Sequence, residues 1–254
     1  MAIDTRDLKR LKHRADHYQS RRSGHDADRI TQEWNMNPRY LTLLVRNDSK
    51  SSLGEESKAV RRFQEQFVQD FAQDIETLKL TETLKDYMER LDQIFFFGLL
   101  TRCVAKPDKM CKAKKLVGLR VRRTPNRTKS AEWHPDRGEI WLWSMTYRPP
   151  GHPEDEEGLK DPVSRNLDDL LIELVEVMQV AWFDIFSKHD TTEYQEEIEG
   201  LSGDGWRIHH LNSLVMSRIV KWLPSPQDSL FYEEYQHAIY SRNAAVDELN
   251  ALSP

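Results

Sequence analysis

Residues 170 to 178 read Leu170-Leu171-Ile172-Glu173-Leu174-Val175-Glu176-Val177-Met178, seven apolar side chains broken only by two glutamates. No glycine or proline interrupts the chain between Leu167 and Lys188, so the spacing predicts one helix that is apolar on nearly all sides and buried at the centre of the fold. At 100° per residue, Asp169, Glu173, Glu176, Asp184 and Ser187 gather on one narrow stripe of that helix. An isolated buried carboxylate is costly, so the stripe must open onto water, a cation or basic partners. Glu173 and Glu176 stand at i and i+3, near enough for both carboxylates to reach one cation or to share a proton. The plainer reading of the pair is a solvated helix edge.

Outward from this helix, strand character marks 115–123, through Leu116, Val117, Leu119 and Val121, and 139–147, through Ile140, Trp141, Leu142, Trp143 and Tyr147. A polar, turn-rich loop is expected between them, from Arg123 to Gly138, and loops again at 148–153 and at the acidic 154–157. Upstream, Val60, Phe63, Phe67, Val68, Phe71, Ile75 and Leu78 recur at three- and four-residue steps, which predicts an amphipathic helix from Glu55 to Leu80. A second follows from Tyr87 to Leu100. His209 to Trp222 and Leu230 to Leu252 also show helical spacing, separated by Pro224-Ser225-Pro226. The first thirty residues have little periodic apolar content and suit a mobile arm, and Asp48 to Ser57 reads as a linker. No internal repeat is evident.

The order of these pieces resembles the SprT-like zincin metalloproteases, and among them the fungal SprT-like domain proteins. Leu91-Asp92-Gln93-Ile94-Phe95-Phe96-Phe97-Gly98-Leu99-Leu100 is similar to the family's Phe-rich opening helix. Gly138-Glu139-Ile140-Trp141-Leu142-Trp143 is similar to its strand before the active-site helix, and Gly203-Asp204-Gly205-Trp206 to its distal ligand loop. The similarity covers roughly residues 60 to 222. It implies an α+β, zincin-like fold, with a small sheet packed on a central buried helix and extra helices at both ends. It divides the chain into an N-terminal arm and linker (1–57), a SprT-like domain (58–223) and a C-terminal helix (224–254).

A zincin places H-E-x-x-H on a helix because residues i and i+4 share a face, so two imidazoles converge on one ion while the glutamate works on the bound water. The corresponding residues here are Ile172-Glu173-Leu174-Val175-Glu176. The resemblance therefore puts the first two zinc ligands at Ile172 and Glu176 and the third at Asp204, and only Glu173, matching the general base, is kept in kind. Ile172 has no donor atom, while Glu176 and Asp204 offer oxygen. Zinc is the family's cofactor, and with its ligands missing the expectation is that none is bound. His189, His209 and His210 are the residues that would restore a metal site if they swung toward Glu176 and Asp204. The implied function is a catalytically degenerate, metalloprotease-like pseudoenzyme that binds a protein or peptide partner. A metalloprotease with noncanonical ligands is the alternative.

A second candidate site is basic. Arg102, Lys106, Lys109, Lys112, Lys114, Lys115, Arg120, Arg122, Arg123, Arg127 and Lys129 are accompanied by a single acid, Asp108, within residues 102–129. Such density can track phosphates, and the resemblance to proteins that act on DNA-bound substrates points to nucleic acid as a partner. The bland reading is an exposed run that balances the acidic stretches. Trp141 and Trp143 alternate with Ile140 and Leu142, so one pair belongs to the core and the other is a candidate binding surface.

Composition bounds the rest. The chain has 254 residues, 38% hydrophobic, with 37 Lys and Arg against 42 Asp and Glu. That suffices for one substantial core, and the net charge of -5 gives no global argument for a polyanion partner. Cys103 and Cys111 are the only cysteines, a spacing that fits neither a disulfide framework nor a zinc ribbon and suits a reducing compartment. No signal peptide or membrane span is read in the sequence, so the expectation is an intracellular protein, nuclear or cytoplasmic, with no membrane partner. No phosphate-binding glycine loop or nucleophile elbow is present.

Overall fold

The structure, a computed structural model, describes residues 37–51, 58–101, 103–104, 114–126, 129–147, 162–187, 189, 194–195, 198, 206–223 and 230–251. Six α-helices and seven short strands are laid out along these residues: α1 (Pro38–Ser51), α2 (Lys58–Phe71), α3 (Leu80–Phe95), β1 (Cys103–Val104), β2 (Lys114–Lys115), β3 (Gly118–Arg122), β4 (Ala131–His134), β5 (Glu139–Trp143), β6 (Met145–Thr146), β7 (Val163–Ser164), α4 (Leu167–Phe186), α5 (Trp206–Trp222) and α6 (Leu230–Ala251). The class is mixed α+β.

Helix α4 is the hub, as its apolar run requires. It touches α1, α3, α5 and α6, and strands β4 and β5. Leu170, Leu174, Met178, Ala181, Trp182, Phe183 and Phe186 along it are fully buried. Asp168 and Asp169 occupy its first turn, where acidic side chains complement the helix dipole. One core cluster runs from Leu41 on α1 to Phe231 on α6.

The main sheet has the order β3-β5-β4. β5 runs parallel to β3, with Leu119 opposite Ile140, and antiparallel to β4, with Trp133 opposite Ile140. Ile140 and Leu142 are fully buried on the side of α4, so they are the core pair of the strand. β1–β2 and β6–β7 form two further two-stranded ladders.

Several boundaries differ from the sequence expectation: α1 runs to Ser51, into the expected linker from Asp48, α5 starts at Trp206 rather than His209, and others shift for local reasons. The helix expected over Glu55 to Leu80 stops at Phe71, because Asp74 folds the following residues into a turn. Its Oδ1 accepts the Glu76 N–H at 3.0 Å and its carbonyl accepts the Thr77 hydroxyl at 2.7 Å, the local bonding by which Asp competes with a helix. The helix expected over Tyr87 to Leu100 starts earlier, at Leu80, and ends at Phe95. There the Asp92 carbonyl accepts the N–H groups of Phe96 and Gly98, and Phe97 and Gly98 both take positive φ. The expected loop from Arg123 to Gly138 contains β4 and a 3-10 turn, Pro135–Arg137. Gly138 ends that turn at φ +60°, with the Leu116 carbonyl oxygen 2.8 Å from where a Cβ would sit, so only glycine fits. The expected strands 115–123 and 139–147 are each split, at Leu116–Val117 and at Ser144.

Candidate functional site

A cleft of about 410 Å³ lies between β4, α4 and α5. Ala131, Glu132 and Trp133 form one wall, Glu173, Glu176, Val177, Gln179 and Val180 the other, and Ile208, His209 and Asn212 come from α5. Trp133 fastens β4 to the helix, donating its Nε1–H to Asp184 Oδ2 at 2.7 Å. β5 is paired on both edges, whereas no strand pairs with the far edge of β4 among the described residues. β5 is thus interior to the sheet, and the open edge beside the cleft belongs to β4.

The acidic stripe of α4 is met group by group. Arg165, nearly fully buried, donates Nε to Asp169 Oδ2 at 2.6 Å and Nη2 to Asp169 Oδ1 at 2.7 Å and Glu173 Oε1 at 3.0 Å. Asp169 therefore holds it bidentately, the strong geometry for this pair. Glu176 accepts the Asn212 Nδ2–H at 3.0 Å, and Asn212 also donates to Glu234 on α6. Burial, then the neighbouring Glu234 and Glu173 charges, push the Glu176 carboxyl up to about 8, against a smaller opposing pull from the Asn212 hydrogen bond. Asp184 has the Trp133 indole and lies 3.8 Å from His189. Ser187, at the helix end, is buried.

These contacts bear on the zinc site that the resemblance implies. Ile172 is buried among the core side chains and carries no donor. Glu173 lies in the Arg165 fork, and Glu176 is turned into the α5–α6 contact. His189 Nε2 sits 2.6 Å from the Asp184 carbonyl oxygen and its ring stacks on Tyr194 at 4.3 Å. His209 lines the cleft, and the His210 ring lies 6.2 Å from that of Trp206. Among the described residues no group of three or more His, Cys, Asp or Glu side chains converges. Zinc, which wants about three protein ligands, does not fit the donors described. Asp204 lies outside the described residues.

The basic candidates divide by location. Arg120 and Arg122 on β3 and Trp141 on β5 project from the face of the sheet opposite α4. The indole of Trp141 has the guanidinium carbons of Arg122, Arg137 and Arg120 at 4.1, 5.1 and 5.8 Å from its centroid, and the His134 ring at 4.1 Å. Arg120 is also forked onto Glu139, at 3.1 and 3.2 Å. Trp143 is buried, so an exposed tryptophan pair beside the acidic groove is not what forms. One half-buried indole sits on the other side of the sheet. Arg123 follows β3 and lines a separate hollow with Ile75 and Met145. Lys115 pairs with Glu89 of α3, and Lys114 lies in the β1–β2 ladder. Arg102, Lys106, Lys109, Lys112 and Arg127 fall outside the described residues.

Four residues at this site went unread in the sequence: Arg165, Gln179, Asn212 and Glu234. Arg165 carried a usable signal, standing four and eight residues before Asp169 and Glu173, just ahead of the helix N-cap. The other three meet only through the packing of α5 and α6 on α4. Compared with known proteins, the chain matches no family model, no curated protein and no solved structure.

Proposed function

We propose that this chain is a binding module on a degenerate SprT-like, zincin-type scaffold that holds an extended protein segment along the open edge of β4. The observation that carries the reading is the cleft itself: a strand edge that nothing pairs among the described residues, an apolar floor of Val177, Val180 and Ile208, and carboxylates already engaged by the protein's own groups. A free edge supplies main-chain hydrogen bonds to an added strand, and pockets beside it select alternate side chains. That mode needs no metal. The metalloprotease alternative needs three ligands that the described residues do not assemble, and Glu173 in the Arg165 fork is poorly placed to work on a bound water.

The test is panning a random peptide display library on the full chain, then measuring affinity for the recovered peptides. Peptides that lose about tenfold or more in affinity on Val180→Arg, which fills the cleft, and keep it on Trp141→Ala support the reading. Recovery of no peptide, or peptides that respond only to Trp141→Ala, overturns it.

A second reading rests on the Trp141 face, where three guanidiniums surround one indole. That arrangement suits phosphate and base contacts. Single-stranded DNA binding that weakens steeply with salt and falls on Arg122→Ala is its expected signature. Salt-independent or absent binding removes it.

A further inference from the structure

The backbone of β4 faces two ways in turn. The Trp143 N–H donates to the Ser130 carbonyl at 2.9 Å, and the register sets Glu132 opposite Trp141 and His134 opposite Glu139. Hydrogen-bonded positions recur at every second residue of an antiparallel pair, so Ser130, Glu132 and His134 turn their N–H and C=O groups toward β5. Ala131 and Trp133 turn theirs toward the edge that nothing pairs among the described residues. Opposed residues project to the same face of a sheet. Ala131, opposite Leu142, and Trp133, opposite Ile140, therefore face α4, while the Glu132 side chain lies on the Trp141 face.

A strand added at this edge bonds to Ala131 and Trp133. Its two residues opposite them are two positions apart, and both send their side chains into the cleft. These two positions have different surroundings. Trp133 is tied to Asp184, and Val180 stands one turn before Asp184 on the same helix face. Ala131 lies toward the other end of α4, because its partner Leu142 is two residues from Ser144, whose carbonyl accepts the backbone N–H of Arg165 at 3.0 Å. That end holds Glu173. Glu173 and Val177 are four residues apart, about 6 Å along the helix and close to the roughly 6.8 Å between alternate side chains of an extended strand.

The Glu173 end carries unbalanced charge. Arg165 gives two hydrogen bonds to Asp169 and one to Glu173 Oε1, so one guanidinium serves two carboxylates. Glu173 Oε2 accepts no hydrogen bond among the described residues, and no lysine or arginine among them lines the cleft. A second, independent feature also calls for a donor. Gln179 is fully buried and lines the cleft. Its Nε2 is spent on Asn212 Oδ1 at 2.9 Å, and that orientation is fixed because Asn212 turns its own Nδ2 to Glu176 and Glu234. Gln179 Oε1 is left as a buried acceptor with no partner, a state that native proteins mostly avoid.

We propose that the segment held on β4 carries a lysine or arginine opposite Ala131 and an aliphatic residue two positions away, opposite Trp133. The proposal rests on the β4-edge reading above and specifies its partner. The basic head group brings its charge to Glu173 and a surplus of N–H donors to a wall where Gln179 Oε1 has none. Its aliphatic stem lies along Val177, and the second side chain packs on Val180 and Ile208. An antiparallel strand reads aliphatic-x-basic and a parallel one the reverse.

The peptides recovered by panning on the full chain, and synthetic versions of the tightest of them, supply the test. Among peptides released by Val180→Arg, most are expected to carry Lys or Arg two positions from Val, Ile or Leu. Replacing that basic residue by norleucine is expected to weaken binding to the wild type about tenfold, the scale of one hydrogen bond to a charged group, and replacing it by glutamate weakens it further. In Glu173→Gln the norleucine replacement is expected to cost under about threefold, the coupling that a double-mutant cycle reads. A Glu173 that only supports the fold would weaken both peptides alike, and an unchanged ratio between them overturns the proposal. Where Glu173→Gln does not fold, the lysine, norleucine and glutamate peptides on the wild type decide alone. Released peptides with no basic residue at that spacing, or a norleucine replacement without effect on the wild type, overturn the proposal and leave the β4-edge reading standing. Recovery of no peptide, or only of peptides indifferent to Val180→Arg, overturns both.

Discussion

Arg165 decides what the acidic stripe of α4 can do. Its fork spans Asp169 and Glu173, so Glu173 has a standing structural partner. Both carboxylates keep some solvent contact, which limits the energy at stake. Arg165→Ala is expected to cost about 2 kcal/mol in urea unfolding, below the 3–5 kcal/mol of a fully buried pair. A cost near zero would show that water satisfies both acids equally well. The sequence placed Glu173 and Glu176 on one face correctly and left open what met them. Arg165 precedes the helix, so counting residues along the helix did not include it. Asn212 and Glu234 lie 36 and 58 positions beyond Glu176, and no local pattern connects them to it.

At the scale of elements, long apolar periodicity was legible and its endings were not. The 20-residue α4 falls within the predicted span because its apolar character is continuous and it has nowhere to go but inward. The helices before it were misjudged where one side chain redirects the backbone, Asp74 after α2 and Asp92 within α3. Asp92 is fully buried and its carboxylate accepts the N–H groups of Leu100 at 3.1 Å and Thr101 at 2.7 Å, with the Thr101 hydroxyl also at 2.7 Å. Asp92→Ala strands these donors, and the expected loss is about 3 kcal/mol by denaturant titration. An effect under about 1 kcal/mol would mean that water replaces the carboxylate. β4 was missed because Ala131-Glu132-Trp133-His134 has little strand propensity of its own. Tertiary pairing with β5 and the Trp133 bond to Asp184 make it a strand. The cleft depends on that strand, so its location was less legible than its acidic residues.

For the whole molecule, the α+β class and the central buried helix were readable, while the joining of the terminal helices to one core was not. Among the described residues that core is apolar and continuous from Leu41 to Phe231, with no convergent metal ligands. A chelator is accordingly expected to leave the melting temperature unchanged. A large drop on chelation, recovered with zinc, would show that metal ties the fold together and would revive the protease reading. The order β3-β5-β4 has a further consequence for how the chain is assembled. β5 is the last of the three strands to leave the ribosome and the only one that touches both others, so the two earlier strands have no partner until it arrives. Neither β3 nor β4 can form its ladder in this sheet before β5 has been synthesised, so pairing waits on the third strand, parallel on one side and antiparallel on the other.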